Sequence, residues 1–558
     1  MSTDDCGIDP ITLSVLWNGL IAVADDMGVT LRRTAYSAAV REGDDFSTGL
    51  FDAAGRLIAQ GNFSPGHLGA MPYVVEHVLA HYPREQLAPG DAILLNDSGM
   101  GSGHYPDCFV TSPLFASEEL GGDLIGFAVN CAHHVDMGGA VPGSQVVEVS
   151  EAFQEGLRIL PIKIAERGEL REDVLRLVLG NVRLPDTVRG DLLAQRNTNI
   201  IAARRMAALA GKYGLEILHA GIEAILERSE ARMRELIGAL PDGVYRYEDQ
   251  LDDGADERPI GFRVVVTVSG GEMTIDWSES DDQVAAGINS YINYTRAYSA
   301  FAVKVFTDPH LPQNAGANRP VRVVAREGSF FNPRYPAPSS GRAAIQIRLF
   351  EVVCGALSAI VPERAMASFS HWSNPIVGGN DDDGVPFIFY DLLYGGYGGR
   401  ATKDGAESLC PVFNATNIPV EVHESQSPIL VREMGLITDS AGAGEFRGGC
   451  GLRKDIELLA PKATVSLSGD RHRFSPPGAA GGKDGERAQT LLIRDGKEIA
   501  LGSKATTEMR RGDVLSLRLS GAAGFGPPSR RSRQAVRDDV ADGFVSASAA
   551  AQDYDEPW

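Results

Sequence analysis

Residues 124–144 read LIGFAVNCAHHVDMGGAVPGS, a nearly unbroken apolar run that ends at His133 and passes straight into a glycine-rich loop. A short apolar run closed by glycines predicts a buried β-strand. The neighbouring stretch DAILLNDSGMGSGHYPDCFVTSPLF, residues 91–115, reads as strand, glycine-rich loop, strand, and LFDAAGRLIAQ, residues 50–60, as two short strands around a glycine turn. Upstream, Asp9-Pro10 sets an N-cap before a proline at the first helical position, and Leu13, Leu16, Leu20, Val23 and Met27 then recur at helical spacing. Helix followed by strands predicts a mixed α/β region. Strand ends that feed loops are where binding and catalytic side chains are commonly carried.

Further along, residues 186–240 carry long helical patterns rich in Ala, Leu, Arg and Glu. Strands return at FRVVVTVSGGEMTIDW, with Gly270 and Gly271 placed to turn a hairpin, and INSYINYTRAYSAFAVKVF is helical in pattern. Beyond Gly395 glycine is dense and apolar runs are short, and Asp495-Gly496 is a strong two-residue hairpin signal. The expected fold is α/β in several units: an N-terminal mixed region (1–185), a helical connector (186–240), a second α/β region (241–394), a β-rich region (395–528) and a C-terminal tail (529–558) with a short helix in RQAVRDDVADGFVS.

The chain has 558 residues, more than one hydrophobic core serves, since cores stop growing near ~250–300 residues. With 52 Lys plus Arg against 74 Asp plus Glu, the net charge of -22 repels phosphate backbones, and no basic stripe interleaved with aromatics is present, so nucleic acid is not an expected partner. No apolar run approaches the ~20 residues of a membrane span, and the opening MSTDDCGIDP is acidic where a signal peptide is basic. A cytoplasmic location is expected. The six cysteines stand singly, without CxxC spacing, which predicts buried reduced thiols rather than disulfides or a structural zinc site.

The chemistry concentrates in two segments. In the first, His104 and Asp107 lie three apart beside glycines; in the second, His133 and His134 arrive at the end of a strand, followed by Asp136. Imidazole nitrogens mixed with carboxylate oxygens suit Zn, Mn or Fe and leave a coordination position open, which fits a catalytic better than a structural ion. The second histidine of the pair and Asp136 are natural supports for a ligand. The same residues read equally well as satisfied polar groups at strand ends. Arg41-Glu42-Gly43-Asp44-Asp45-Phe46 offers a further carboxylate, or a solvated turn. GAAGGKDGE, from Gly478, lacks the spacing of a phosphate loop, and neither GxGxxG after a strand nor GxSxG occurs. Asp470-Arg471-His472-Arg473 reads as an anion contact or a surface strand end. Cys108 and Cys131 sit in strand patterns and read as core thiols.

These segments, with DPITLSVLWNGLIAVADDMGVTLRRTAYS, PGHLGAMP, EAFQEGLRI, NAGANRPV, NATNIPVEVHE, FRGGCGLRK, SGDRHRF and AGFGPPSRR, resemble in order the hydantoinase B family. That is the subunit shared by N-methylhydantoinase, 5-oxoprolinase and caprolactamase-like enzymes and, more remotely, by acetone and acetophenone carboxylases. Carried over by motif, the family's metal ligands fall on Asp45, His104, Asp107 and His133, with His134 and Asp136 as catalytic or ligand-orienting residues. Family members commonly read NDPYxGGTHxPD where this chain has Asn96–Asp107 with Ser98, Met100, Ser102 and Gly103, a departure that touches substrate choice rather than the ligands.

The resemblance implies an ATP-dependent cyclic amide hydrolase acting on a hydantoin, 5-oxoproline or a lactam. Its ATP and Mg would sit on a hydantoinase A-type ATPase partner that phosphorylates the carbonyl oxygen, in a hetero-oligomer such as A2B2. A divalent ion on this chain would then supply hydroxide at neutral pH. The alternatives are a subunit of an ATP-dependent ketone carboxylase and a non-catalytic scaffold for the ATPase subunit.

Overall fold

The computed structural model describes residues 8–252, 258–409 and 412–555. Helix α1 (Pro10–Thr34) starts where expected: the Asp9 carboxylate accepts the amides of Ile11 and Thr12, each at 3.0 Å, satisfying donors that a helix start leaves unpaired. Leu13, Leu16, Leu20, Val23 and Met27 are all buried. After the short α2 (Ala38–Arg41) come β1 (Phe46–Asp52), β2 (Leu57–Gln60), α3 (Pro65–His81), β3 (Ala92–Leu95), β4 (Asp107–Phe115), β5 (Leu124–His133), β6 (Ile162–Glu166) and β7 (Glu169–Leu170). They form one antiparallel sheet in the order β2-β1-β5-β4-β3-β6-β7.

The strand read from LIGFAVNCAH is β5, at the middle of that sheet, buried from Ile125 to His133. Its register sets the site: His133 lies opposite Asp107 on β4, and Ala132 opposite Phe46 on β1, beside Asp45. Alternation gives the sheet two apolar faces. Phe51, Phe127, Val129 and Cys131 share a core with α3, whereas Leu50 and Ala128 pack with α1. Helices α4 (Glu172–Leu179), α5 (Pro185–Tyr213) and α6 (Leu215–Gly238) follow. The last two join α1 in the second of these cores, so the stretch read as helical is two helices laid against it.

The second sheet holds β8 (Gly243–Leu251), β9 (Ile260–Ser269), β10 (Glu272–Asp276) and β11 (Val321–Val324), in the order β11-β10-β9-β8. Helices α7 (Ile292–Phe306), α8 (Ala315–Asn318) and α9 (Ala343–Ser358) accompany it. Buried residues of α3, α7, α9 and this sheet form one large core, so α7 and α9 are carried close to the loops of the first sheet. The C-terminal region is mainly β, and it begins before Gly395, since strands read as part of the second α/β region join it. Strands 376–380, 386–390, 462–468 and 504–510 form one sheet and a five-stranded sheet lies against it through a shared core. Asp495 and Gly496 turn the last hairpin with positive φ at both positions, 51° and 73°, the geometry a two-residue hairpin requires. The tail forms the expected helix at Arg533–Ala541.

Asp470-Arg471 is neither an anion contact nor a surface strand end. Both side chains are buried and compensated, Asp470 by Arg348 at 3.1 Å and Arg471 by Glu351 at 2.9 Å, because a charge inside a core is tolerated only when paired. Cys108, Cys131, Cys354 and Cys450 are buried free thiols, while Cys6 and Cys410 lie outside the described residues. Among the described residues no helix is long and apolar enough to cross a membrane.

Candidate metal centre

Four of the residues singled out in the sequence converge where β4, β5 and the loop before β1 meet. One oxygen of Asp107, Oδ1, lies 2.9 Å from His104 Nε2 and 2.9 Å from His133 Nδ1. Asp45 stands beside them, with Oδ2 4.0 Å from His133 Nδ1. His104, Asp107 and His133 are almost wholly buried. Their ligand atoms lie within 4.8 Å of one another, a grouping that could hold a metal ion.

Each side chain is aimed by a neighbour. His104 Nδ1 lies 2.8 Å from the carbonyl oxygen of Ser340; a carbonyl only accepts, so that nitrogen carries the proton and Nε2 faces Asp107 as a lone pair. His133 Nε2 lies 3.3 Å from the Gln145 side-chain amide, and its Nδ1 faces Asp107. The Tyr390 hydroxyl donates to Asp45 Oδ2 at 2.9 Å, and its ring lies 4.8 Å from that of His133. Gly103 is required in the connecting loop: its φ is +75°, and a Cβ there would come within 2.5 Å of the Arg342 guanidinium and the Tyr294 ring.

The other carboxylate oxygen, Asp107 Oδ2, has a separate set of partners. Arg342 bonds to it, Tyr294 donates to it at 3.0 Å, and His67 Nε2 lies 3.2 Å away. Arg342 is buried and stacked 3.7 Å from the centre of the Tyr294 ring. Burial alone raises the Asp107 carboxyl, but His104, His67 and Arg342 around it hold it well below the usual carboxylate range. Burial, with Arg342 and His133 adding to it, brings the His104 imidazole down to about 4. The carboxylate is therefore ionised and His104 neutral at pH 7, the states in which each donates electrons to a metal.

His67, Asp107 and Cys131 form a second grouping of the same kind. Burial keeps the Cys131 thiol far above its ordinary range, and a protonated thiol is a poor ligand. Arg342 already supplies the positive charge on that side. The first grouping is the better cation site.

The remaining expected residues lie apart from these donors. His134 Nε2 meets the Gln195 side chain at 2.9 Å. Asp136 accepts from the amides of Gly138, Gly143 and Arg183 and pairs with the Arg183 guanidinium at 2.8 Å, which ties the glycine-rich loop to the start of α5. Sequence reading did not single out His67, Gln145, Tyr294, Ser340, Arg342 or Tyr390. His67 sits inside PGHLGAMP, but a lone histidine on an apolar helix carries no spacing signal, and the others arrive from segments up to 345 residues away.

Glu155 locks the loop that holds His104. Its Oε1 accepts the amides of Ser339 and Ser340, both at 2.5 Å, in a fully buried setting. Burial pushes this carboxyl up from 4.5 to about 8, against those two amides. A carboxyl raised in the fold stays protonated while its unfolded counterpart ionises, so its contribution falls as pH climbs from about 4.5 to 8. Relative to Glu155→Gln, the wild type should lose stability steadily across that window, by up to about 5 kcal/mol, read from urea midpoints at successive pH values. Parallel profiles would contradict this.

An α/β chain with a buried nitrogen and oxygen donor centre at its strand ends is what fold and site define. The chain belongs to the Hydantoinase B/oxoprolinase family, which matches residues 9–528. It is 31% identical to the caprolactamase subunit beta of Pseudomonas jessenii over 98% of this chain and 96% of that one. The crystal structure of the ATP-dependent caprolactamase from that organism superposes with a TM-score of 0.91 at 30% identity, covering 99% of this chain and 97% of the other. A 5-oxoprolinase of Arabidopsis thaliana is 29% identical over 93% of this chain, which spans only 42% of that longer protein. An acetone carboxylase structure shares the fold with a TM-score of 0.86 at 20% identity, over 99% of this chain and 80% of its own.

Proposed function

We propose that this chain is the hydrolytic subunit of an ATP-dependent cyclic amide hydrolase, working on a substrate activated by a separate hydantoinase A-type ATPase subunit that carries ATP and Mg, in a cytoplasmic hetero-oligomer such as A2B2. Its family membership and its likeness to a protein named ATP-dependent caprolactamase support this reading. The observation that carries the metal site is the pair formed by His104 and Asp107. A neutral imidazole whose proton is held by Ser340 turns a lone pair toward a carboxylate oxygen 2.9 Å away, and two acceptors face to face repel unless a cation lies between them.

The residues fit a divalent Zn, Mn or Fe ion held by Asp45, His104, Asp107 and His133. Such an ion, when bound, polarises a carbonyl oxygen and makes water more acidic. The protein does the rest. Ser340 keeps the His104 proton on Nδ1, Gln145 contacts His133 from the other side of its ring, Tyr390 orients Asp45, and Arg342 with Tyr294 anchors the far oxygen of Asp107. His67 meets the Ser47 hydroxyl at 3.3 Å through Nδ1. Its Nε2 faces inward between Asp107 and Asp45, 3.2 and 3.9 Å away, where it is placed to take a proton from attacking water and return it to the leaving nitrogen. We assign His134 and Asp136 to holding the loop rather than to proton transfer.

The test uses the chain purified together with its ATPase partner. Removal of metal by a chelator should abolish ATP-dependent opening of hydantoin, 5-oxoproline or lactam rings, and one added Zn, Mn or Fe ion per chain should restore it. Full activity after verified metal removal would reject the reading. Bicarbonate dependence with carbon incorporation would instead identify a ketone carboxylase, and intact turnover by the ATPase subunit alone would identify a scaffold.

A further inference from the structure

Helices α7 and α9 pack together behind the donor centre, and two contacts fix how they face each other. Arg342 stacks on the Tyr294 ring at 3.7 Å, and Phe350 meets Phe301 with ring centres 5.3 Å apart. Gln346 lies midway between Arg342 and Phe350, so it shares their face of α9 and looks across at Tyr298, one turn on from Tyr294. It is wholly buried, and neither its amide nitrogen nor its amide oxygen has a hydrogen-bond partner among the described residues. Trp372 is buried too, and its indole Nε1 is likewise unmet there. Buried polar groups are bonded in nearly every case, so two unmet side chains against one aromatic cluster point to an outside partner.

An aromatic wall joins both groups to the donors. The Trp372 ring lies 4.9 Å from that of Phe413, Phe413 lies 6.5 Å from Tyr298, and Tyr298 lies 6.3 Å from Tyr294. The Tyr294 hydroxyl in turn donates to Asp107 at 3.0 Å. Tyr298 also sits against Gly66, where a Cβ would come within 2.4 Å of its hydroxyl, and Gly66 precedes His67. Gln346 thus stands one helical turn from Arg342, which bonds Asp107, and Trp372 stands beyond Phe413. Phe413 is only partly buried, and its loop is pinned across the one that carries Asp45. The Thr416 amide and hydroxyl donate to the carbonyls of Gly43 and Glu42 at 2.9 and 2.5 Å, and Asn414 donates to the carbonyl of Asn62 at 2.6 Å.

We propose that the Gln346 carboxamide and the Trp372 indole select the ring that this chain opens, and that they favour a cyclic ureide such as hydantoin over a simple lactam. The assignment rests on the ring-opening reading above and narrows it. A carboxamide offers a donor and an acceptor, and an indole a donor. Beyond the amide that is opened, a hydantoin carries a further carbonyl and a further N–H that can meet them, where a simple lactam has only CH2 groups. A lactam would leave both side chains unmet, and a site built to bond a polar group discriminates strongly against the analogue that lacks it. The phosphoryl-bearing carbonyl belongs at the donor end of the ring, so the selection acts on the uncharged remainder and not on the anion.

Hydantoin and pyrrolidin-2-one share a five-membered ring and differ in the second carbonyl and N–H. The same ATPase partner is used throughout, so that its own preference cancels. Gln346→Leu should then lower kcat/KM for hydantoin by about tenfold or more beyond its effect on pyrrolidin-2-one. Trp372→Phe, which keeps an aromatic ring and removes the N–H, should shift the ratio the same way. Because leucine leaves no unmet polar group, Gln346→Leu should melt no lower than the wild type, so the kinetic loss is read on a folded protein. An unchanged ratio in both variants, or equal losses on both rings, would overturn the proposal and leave ring opening intact. Ligand-observed NMR of hydantoin with the purified chain separates that failure from a failure of the ring-opening reading. If the wild-type complex opens neither ring, but hydantoin binds the chain and Gln346→Leu weakens that binding by about tenfold or more, the selecting residues stand and the ring-opening reading falls. If neither ring is opened and hydantoin does not bind, or binds Gln346→Leu equally well, the proposal falls as well.

Discussion

Asp107→Asn should empty the centre and remove activity together. One oxygen of this carboxylate faces both ligand imidazoles at 2.9 Å, and the other holds Arg342, Tyr294 and His67. An amide keeps the shape but loses the negative charge. Metal content should fall from about one ion per chain to under about a tenth, because the oxygen that faces both imidazoles becomes part of a neutral amide and the remaining carboxylate, Asp45, stands 4.0 Å from His133. A divalent ion supplies several kcal/mol to such a reaction; at ~1.36 kcal/mol per tenfold, ring opening should drop at least ~10³-fold. The same change strands the buried Arg342 guanidinium, and uncompensated buried charges of this kind cost about 3–5 kcal/mol. Circular dichroism and melting curves therefore accompany the metal analysis. A folded Asp107→Asn that retains its metal and more than a tenth of the activity would refute the assignment.

His67→Gln should separate chemistry from metal binding. The imidazole sits inside the cluster but is not among the four ligands, and its Nε2 is 3.2 Å from Asp107. Glutamine retains a hydrogen-bonding group there and gives up proton transfer. Losing a positioned general base costs about 10²–10⁴ in kcat, so kcat should fall in that range while metal content and KM stay near those of the wild type. Loss of the metal in this variant would make His67 a ligand. Unchanged kcat would remove it from the mechanism.

The carboxylase alternative has little from this chain to support it. At 20% identity, the acetone carboxylase structure bears on the fold alone, whereas the caprolactamase agrees over nearly the full length of both chains at 30%. The bicarbonate experiment still decides between them, since both readings use the same donors.

Local pattern was enough for the elements that carry the centre. Leu13, Leu16, Leu20, Val23 and Met27 mark one buried face because a helix repeats every 3.6 residues; the run before His133 marks a strand because no polar residue breaks it until Asn130; Asp495-Gly496 marks a turn because its backbone needs positive φ. Asp45, His104, Asp107 and His133 were legible as chemistry-bearing residues at strand ends and loops, and the resemblance singled them out from Asp44 and His134. Only the tertiary structure decided who aims them. Ser340 and Arg342 reach the centre from the start of α9, Tyr390 from a C-terminal strand, Gln145 from the loop beyond β5, and Glu155 fixes two of their amides from behind. Asp470-Arg471 likewise looks like surface in sequence and is a paired interior in space. The physical reason is the same throughout: periodicity and turn chemistry act over a few neighbouring residues and are written in the chain. The tautomer of an imidazole, the compensation of a buried charge and the walls of a pocket instead depend on groups hundreds of positions away, which packing alone brings together.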